Sequence, residues 1–242
     1  TYNKMSFADL QKLTPNFDWK LYITEGEIPA EKFAEIVVRE PSFFEGLSKI
    51  LGEFDAQSWR NWLRWHILSG AAGYLNDALV NQNFAFYSTT LAGTPKIRER
   101  WKRAISFVEN ALGEEIGKEY VKRHFPAESK EKMKVLVQNL LKAYEISIKE
   151  LDWMTEETKL KALEKLSKFN AKIGYPDKWR DYNALEIVDD LHTNLANIAK
   201  FERDYELNKL GGPIDRDEWG MTPQTVNAYY SPGFNEIVFP AA

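Results

Sequence analysis

Between Ser129 and Leu151 the apolar residues Met133, Leu136, Val137, Leu140, Leu141, Tyr144, Ile148 and Leu151 recur every three or four positions, and charged residues fill the gaps. That spacing puts the apolar side chains on one stripe of an α-helix and is incompatible with the two-residue period of a strand. The same period governs most of the chain, so the fold class is mainly α, built from several helices that each bury one face.

Prolines, glycines and capping residues divide the rest. Ser6 starts a short helix that ends before Pro15. A break near Pro41 precedes a segment with Phe43, Leu47, Ile50 and Leu51 on one face. Asp55 caps a run reaching about Leu79, in which Trp59, Trp62, Leu63, His66 and Ile67 share a stripe. Pro95 is expected early in the next helix, followed by Ile97, Trp101, Ile105 and Val108. "GEEIGKEYVKRHF" gives a further helix stopped by Pro126, and Ser129 is the expected cap of the long one. Thr155 opens another, Gly174 and Pro176 interrupt the pattern, and a last helix runs from Glu186 or Asp189 to Leu210, where "LGGP" ends it. Beyond this the period changes. "TVNAYY" and "NEIVF", separated by "SPGF", form a β-hairpin, which needs a sheet or helix behind it to be stable.

The 242 residues suffice for an ordinary core without covalent staples, and the absence of cysteine excludes disulfides and thiolate metal sites. A formal net charge of −4 with both signs dispersed gives no basic footprint for nucleic acid. No apolar run approaches the ~20 residues that span a bilayer, and "TYNKMSFADLQKL" has no signal-peptide core, so the chain reads as soluble with no membrane segment.

Catalytic chemistry is sparse. The 3 histidines, His66, His124 and His192, lie far apart, and no His-Glu-x-x-His helix is present. His66 is best read as a packed or partly exposed histidine of an aromatic face, and the other two as surface residues near helix ends. There is no Gly-x-Ser-x-Gly turn and no phosphate-cradling loop. The neighbouring carboxylates Glu156 and Glu157, or Asp189 and Asp190, point in different directions on a helix and suit a solvated face. No catalytic and no metal-binding residue is assigned. The hairpin offers a different chemistry. An extended edge presents alternating donors and acceptors to a peptide, and Asn227 followed by small Ala228 allows close approach of a backbone. The competing reading is a structural strand whose Asn bonds local backbone.

"VNAYYSPGFNEIVFPAA" closely resembles the Asn-Ala-aromatic-Tyr segment of the neprilysin family of zinc metallopeptidases, which includes bacterial oligopeptidase O enzymes. "LRW" at 63–65, "FYSTTLAGT" at 86–94, "ELDWMTEETKLKALEKL" at 150–166, "KIGYPDKWRDY" at 172–182 and "DEWGMTPQTVNAYY" at 217–230 agree in the same order, so the resemblance covers nearly the whole chain.

The resemblance implies a two-lobed endopeptidase whose helical lobe covers a thermolysin-like catalytic lobe, enclosing a chamber that admits short peptides. On this reading residues 1–212 form the lid lobe, incomplete at its N-terminus, and residues 213–242 are the first hairpin of the catalytic lobe. Asn227 would hold a substrate backbone amide on the leaving-group side of the scissile bond, and Ala228 would add main-chain hydrogen bonds. The parent enzyme would use zinc, held by a His-Glu-x-x-His helix and an acidic ligand that follow the hairpin in the family; these 242 residues would bind none and be inactive alone. The partners implied are peptide substrates and the catalytic lobe. Absence of cysteine separates the chain from disulfide-rich animal ectoenzymes and points to a bacterial, cytoplasmic relative, with export as the alternative. The rival reading is a non-catalytic helical module that binds peptides or partners.

Overall fold

The computed structural model describes residues 2–242. Two compact units emerge, one comprising residues up to Arg98 with Ile187–Pro213 and the other Glu99–Glu186 with Ile214–Ala242.

In the first unit, β1 (Lys4–Ser6) pairs antiparallel with β2 (Glu35–Val37), Met5 opposite Ile36. Ser6 caps α1 (Phe7–Leu13), its hydroxyl accepting the Asp9 N–H at 3.2 Å, as its sequence position predicts. Leu10, Trp19 and Val38 form the core, with Phe7, Phe17, Phe33 and Phe44 packed round it. Trp19, on α2 (Trp19–Glu25), donates its indole N–H to Thr14 Oγ1 at 2.6 Å, and the Thr14 hydroxyl donates to the Leu10 carbonyl at 2.7 Å. The polar groups of this aromatic core are therefore satisfied internally. Next comes α3 (Pro41–Glu53), with proline in its first turn.

Asp55 caps α4 (Ala56–Ala71) through the Ser58 N–H at 2.7 Å, but this helix buries none of its side chains. Its aromatic stripe lies on the surface, with Trp62, Leu63, Trp65 and Ile67 each at least half exposed. The helical run ends at Ala71, before the expected Leu79, because Asn76 caps a separate α5 (Asp77–Asn83). Residues 84–90 then widen into a π-helical segment, with the Leu91 N–H reaching the Phe86 carbonyl at 3.1 Å. The unit is completed by α9 (Leu191–Lys209), capped by Asp190 through the Thr193 N–H at 2.7 Å. Lys32 holds its end by donating to the Leu207 carbonyl at 2.8 Å.

The second unit begins with α6 (Arg100–His124). Pro95 precedes this helix rather than entering it; Thr94 is bound back to Ser88 and Thr89, at 2.8 and 3.0 Å. The two helices expected here run as one, bent at Leu112 (φ −129°, ψ 35°). Beyond Pro126, α7 (Ala127–Glu150) starts one turn earlier than Ser129 suggests, since the Ser129 N–H already bonds the Pro126 carbonyl. Thr155 caps α8 (Glu156–Ser167) as expected.

The stretch interrupted by Gly174 and Pro176 contains a strand, β3 (Asn170–Gly174), that helical periodicity could not reveal. It pairs parallel with β5 (Glu236–Pro240), which pairs antiparallel with β4 (Tyr229–Ser231), giving the order β3-β5-β4. The hairpin therefore has a third strand beside it and α6 behind its lead-in. Gly113 and Gly117, one turn apart on α6, leave room for Thr222, Pro223 and Gln224: a Cβ on Gly117 would stand 2.8 Å from Pro223 Cδ and 3.1 Å from Gln224 Oε1. Gln224 Nε2 donates to the Gly113 carbonyl at 2.9 Å.

Lys130, buried on α7, secures the turn after β3 by donating to the Tyr175 carbonyl and to Asp177 Oδ1, both at 3.0 Å. That hydrogen bond, with the attraction of the ammonium charge, holds the Asp177 carboxyl below its ordinary value.

Gly117→Ala is expected to gain helix propensity but lose more to the clash with fully buried Pro223, a net cost of about 1–2 kcal/mol in urea unfolding. A lowered carboxyl stabilises the fold fully above its unfolded pKa of ~3.9 and ceases to do so as pH falls through the lower folded value. Unfolding midpoints should therefore fall on acidification below about pH 4, and the fall should be shallower in Asp177→Asn.

Candidate functional site

Strand β5 alternates buried and half-buried residues, with Glu236, Val238 and Pro240 turned inward. Glu236 is 2% exposed, and its charge is answered by Lys172 of β3, 9% exposed, with Nζ 2.9 Å from Oε2. Lys172 also donates to the Glu218 carbonyl at 2.9 Å, and Asn170 Nδ2 approaches Glu236 Oε2 at 3.4 Å. This bonded pair joins the two parallel strands across the register Asn170↔Glu236 and Lys172↔Val238. The hairpin turn is closed by Asn235, at φ 52°, a conformation Asn tolerates better than most residues; its Nδ2 donates to the Lys165 carbonyl at 2.8 Å.

On β4 the adjacent tyrosines are held differently, as alternation in a strand requires. The Tyr229 hydroxyl accepts the Gly220 N–H at 2.8 Å, whereas Tyr230 stacks on Phe169 at 6.2 Å and donates to Asn235 Oδ1 at 3.2 Å. Among the described residues β4 has β5 as its sole strand neighbour, so its other edge is open to an added strand.

Asn227 and Ala228 lie immediately before β4, both exposed. Asn227 Oδ1 accepts the Ala228 N–H at 2.8 Å, and the Asn227 N–H donates to the Thr225 carbonyl at 2.9 Å. The local bonding that competes with a binding role is thus present. It occupies one lone pair of Oδ1 and neither hydrogen of Nδ2, so the carboxamide retains an acceptor site and two donors for a peptide unit.

The histidines do not converge. His66 packs 4.2 Å from Trp62 and His124 5.0 Å from Tyr120, both ring-centroid distances, and His192 is exposed near the start of α9. Among the described residues no group of three His, Asp or Glu side chains is placed to hold a metal ion. These residues do not fit a zinc site. Among the same residues no helix is long and apolar enough to cross a membrane.

The family model for peptidase family M13 matches residues 1–176. The chain belongs to peptidase family M13. Among curated M13 relatives it is 32% identical to human endothelin-converting enzyme 1 over 250 residues and 31% identical to the neutral endopeptidase of Lactobacillus helveticus over 243. These alignments cover 99% of this chain but 32% and 37% of those proteins, so the chain spans about a third of their length. Its fold matches the Mycobacterium tuberculosis zinc metalloprotease Zmp1, crystallised with an inhibitor, with a TM-score of 0.92 at 48% identity, covering 99% of this chain and 36% of that one. PepO of Lactobacillus rhamnosis aligns with a TM-score of 0.83 at 27% identity, over 99% of this chain and 38% of that one. The neprilysin-type resemblance and the mainly α class therefore both hold, for an M13 chain with a few short strands among its helices.

The Lys172–Glu236 pair and the Gly113–Gly117 notch were missed in the sequence. The spacing of the two glycines on one helix face was visible, whereas the ion pair joins residues too distant in sequence for any periodicity to connect. Lys172→Met is expected to cost about 3–5 kcal/mol by stranding the Glu236 charge, and Lys172→Met with Glu236→Leu to recover most of it, both read from denaturant midpoints.

Proposed function

We propose that this chain forms the lid lobe and peptide-binding edge of a zinc-dependent endopeptidase that hydrolyses internal bonds of short peptides. Residues 1–212 act as the lid and residues 213–242 open the catalytic lobe. The zinc ligands come from residues outside these 242, and the 242 alone are inactive. The observation that carries the reading is the open edge of β4, preceded by an exposed Asn227 whose Nδ2 hydrogens are uncommitted. A peptide that adds to this edge gains main-chain hydrogen bonds from a fixed template, and Asn227 grips one peptide unit beside the scissile bond. Zinc, when bound in the complete protein, would polarise the carbonyl and activate water.

Further support comes from the names of the relatives, which include an endopeptidase and a zinc metalloprotease. The exposed apolar residues Trp62, Trp65 and Ile67 of α4, with Leu136, Leu140 and Tyr144 of α7, are more than scattered surface hydrophobes and suit faces covered by further protein. In this reading the enzyme is bacterial and cytoplasmic, consistent with a chain that has no cysteine.

In the complete protein, Asn227→Ala should lower kcat/KM by about 1–3 kcal/mol, roughly 5- to 150-fold, with the fold unchanged by circular dichroism. Retention of full activity would remove Asn227 from the site. Metal-dependent hydrolysis by the purified 242 residues would overturn the division of labour between the two parts.

A further inference from the structure

Beyond β4 the hairpin turn leads into a basic cleft of about 580 Å³. Lys161, Lys165 and Lys168 of α8 line it with Arg216 and Phe234, and Glu164 is the one carboxylate on its wall. The four cations are not equivalent. Lys161 and Lys168 are each occupied by a carboxylate of their own helix, Glu157 at 2.7 Å and Glu164 at 2.5 Å. Lys165 and Arg216 have no carboxylate partner among the described residues. Lys165 Nζ lies 5.7 Å from the ring centroid of Tyr230, on β4 itself, and Arg216 Nη1 donates to the Phe234 carbonyl at 3.3 Å. Two unneutralised cations thus stand at the far end of the open edge, one of them against the strand's own tyrosine.

Direction along the edge follows from the proposed function, on which this inference rests. With Asn227 holding the leaving-group side of the scissile bond, strand β4 is available only on the far side of Ala228 from Asn227. The remainder of a paired peptide must run along Tyr229–Ser231 antiparallel to it, its N-terminal part toward the hairpin turn. From Asn227 to Ser231 is about 13 Å at ~3.3 Å per residue. The peptide residue reaching the cleft is therefore about three to four positions on the N-terminal side of the cleaved bond. The free carboxylate of a peptide lies in the opposite direction, so a side chain must supply any negative charge that arrives there.

We infer that Lys165 and Arg216 form a subsite for an acidic side chain of the peptide substrate on the N-terminal side of the scissile bond. The cleft is open to water, so the pairing acts mainly on substrate capture and is weakened by salt.

The test uses the complete protein and pairs of quenched fluorescent peptides that differ only by Glu or Gln at the third, then the fourth, position before the cleaved bond. Wild type is expected to prefer Glu by about 5- to 20-fold in kcat/KM at one of these positions, chiefly through KM, with the ratio shrinking as ionic strength rises. In Lys165→Gln with Arg216→Gln the Glu-to-Gln ratio should fall to about one, and Lys165→Arg should retain a preference. A wild-type ratio near one at both positions, or a ratio that survives in the double variant, overturns the subsite. Asn227→Ala separates the two readings. If it weakens hydrolysis of both peptides while the Glu preference is absent, the subsite alone fails. If it weakens neither, the edge reading fails first.

Discussion

Everything around the candidate edge depends on the burial of β5. This strand is sandwiched between β3 and β4, carries the fully buried Val238, and takes a charged Glu236 inward with it. Burying a carboxylate is tolerable only because Lys172 and Asn170, both on β3, meet it there. A one-residue slip would turn Glu236 to the other face and bring Ile237 into its place, so the ion pair enforces the register as well as compensating its own desolvation. Val238, opposite Lys172 in the ladder, lies on the same face as Glu236 and buries its apolar side chain beside that polar link.

The same constraint fixes the backbone of the edge. The segment leading to Asn227 is tied on both sides. Pro223 is lodged against Gly117, and its carbonyl accepts the Ala242 N–H at 3.0 Å, at the far end of β5. Past the strand, Asn235 fastens the turn to α8 and Tyr230 stacks on Phe169. A peptide adding to β4 would meet a backbone already ordered, which reduces the conformational entropy lost on binding. The exposed position of Asn227 and Ala228 between these anchors leaves them accessible without leaving the chain around them loose.

The helices divide into two kinds. Those of the aromatic core in the first unit draw their stability from packing around Trp19, whose indole is satisfied through Thr14. Helix α4 has its Asp55 cap but keeps Trp62 and Trp65 at the surface. Side-chain burial usually supplies most helix stability in proteins, so an amphipathic helix with its apolar stripe outward is a surface with contacts still to make. That contrast, rather than any single pocket, is what makes a covering role for the helical part physically reasonable.

What could be read directly from the sequence was local. Ser6, Asp55 and Thr155 cap helices where their spacing to the next amide groups says they should, and the hairpin's Pro and Gly mark its turn, whereas the last helix starts at Leu191, after the expected Glu186 or Asp189. These outcomes depend on hydrogen bonds a few residues long, which a linear pattern contains in full. The Asn-Ala-Tyr-Tyr stretch also pointed to the family, because a recognisable motif is itself local. Tertiary structure alone decided that α6 bends and continues through Leu112, that β3 exists within an apparent loop, and that Lys172 meets Glu236. It also decided that Lys165 and Arg216 stand at one end of the edge strand. Each of these joins residues far apart along the chain, or overrides a local preference through packing, and no periodicity of three, four or two residues carries that information.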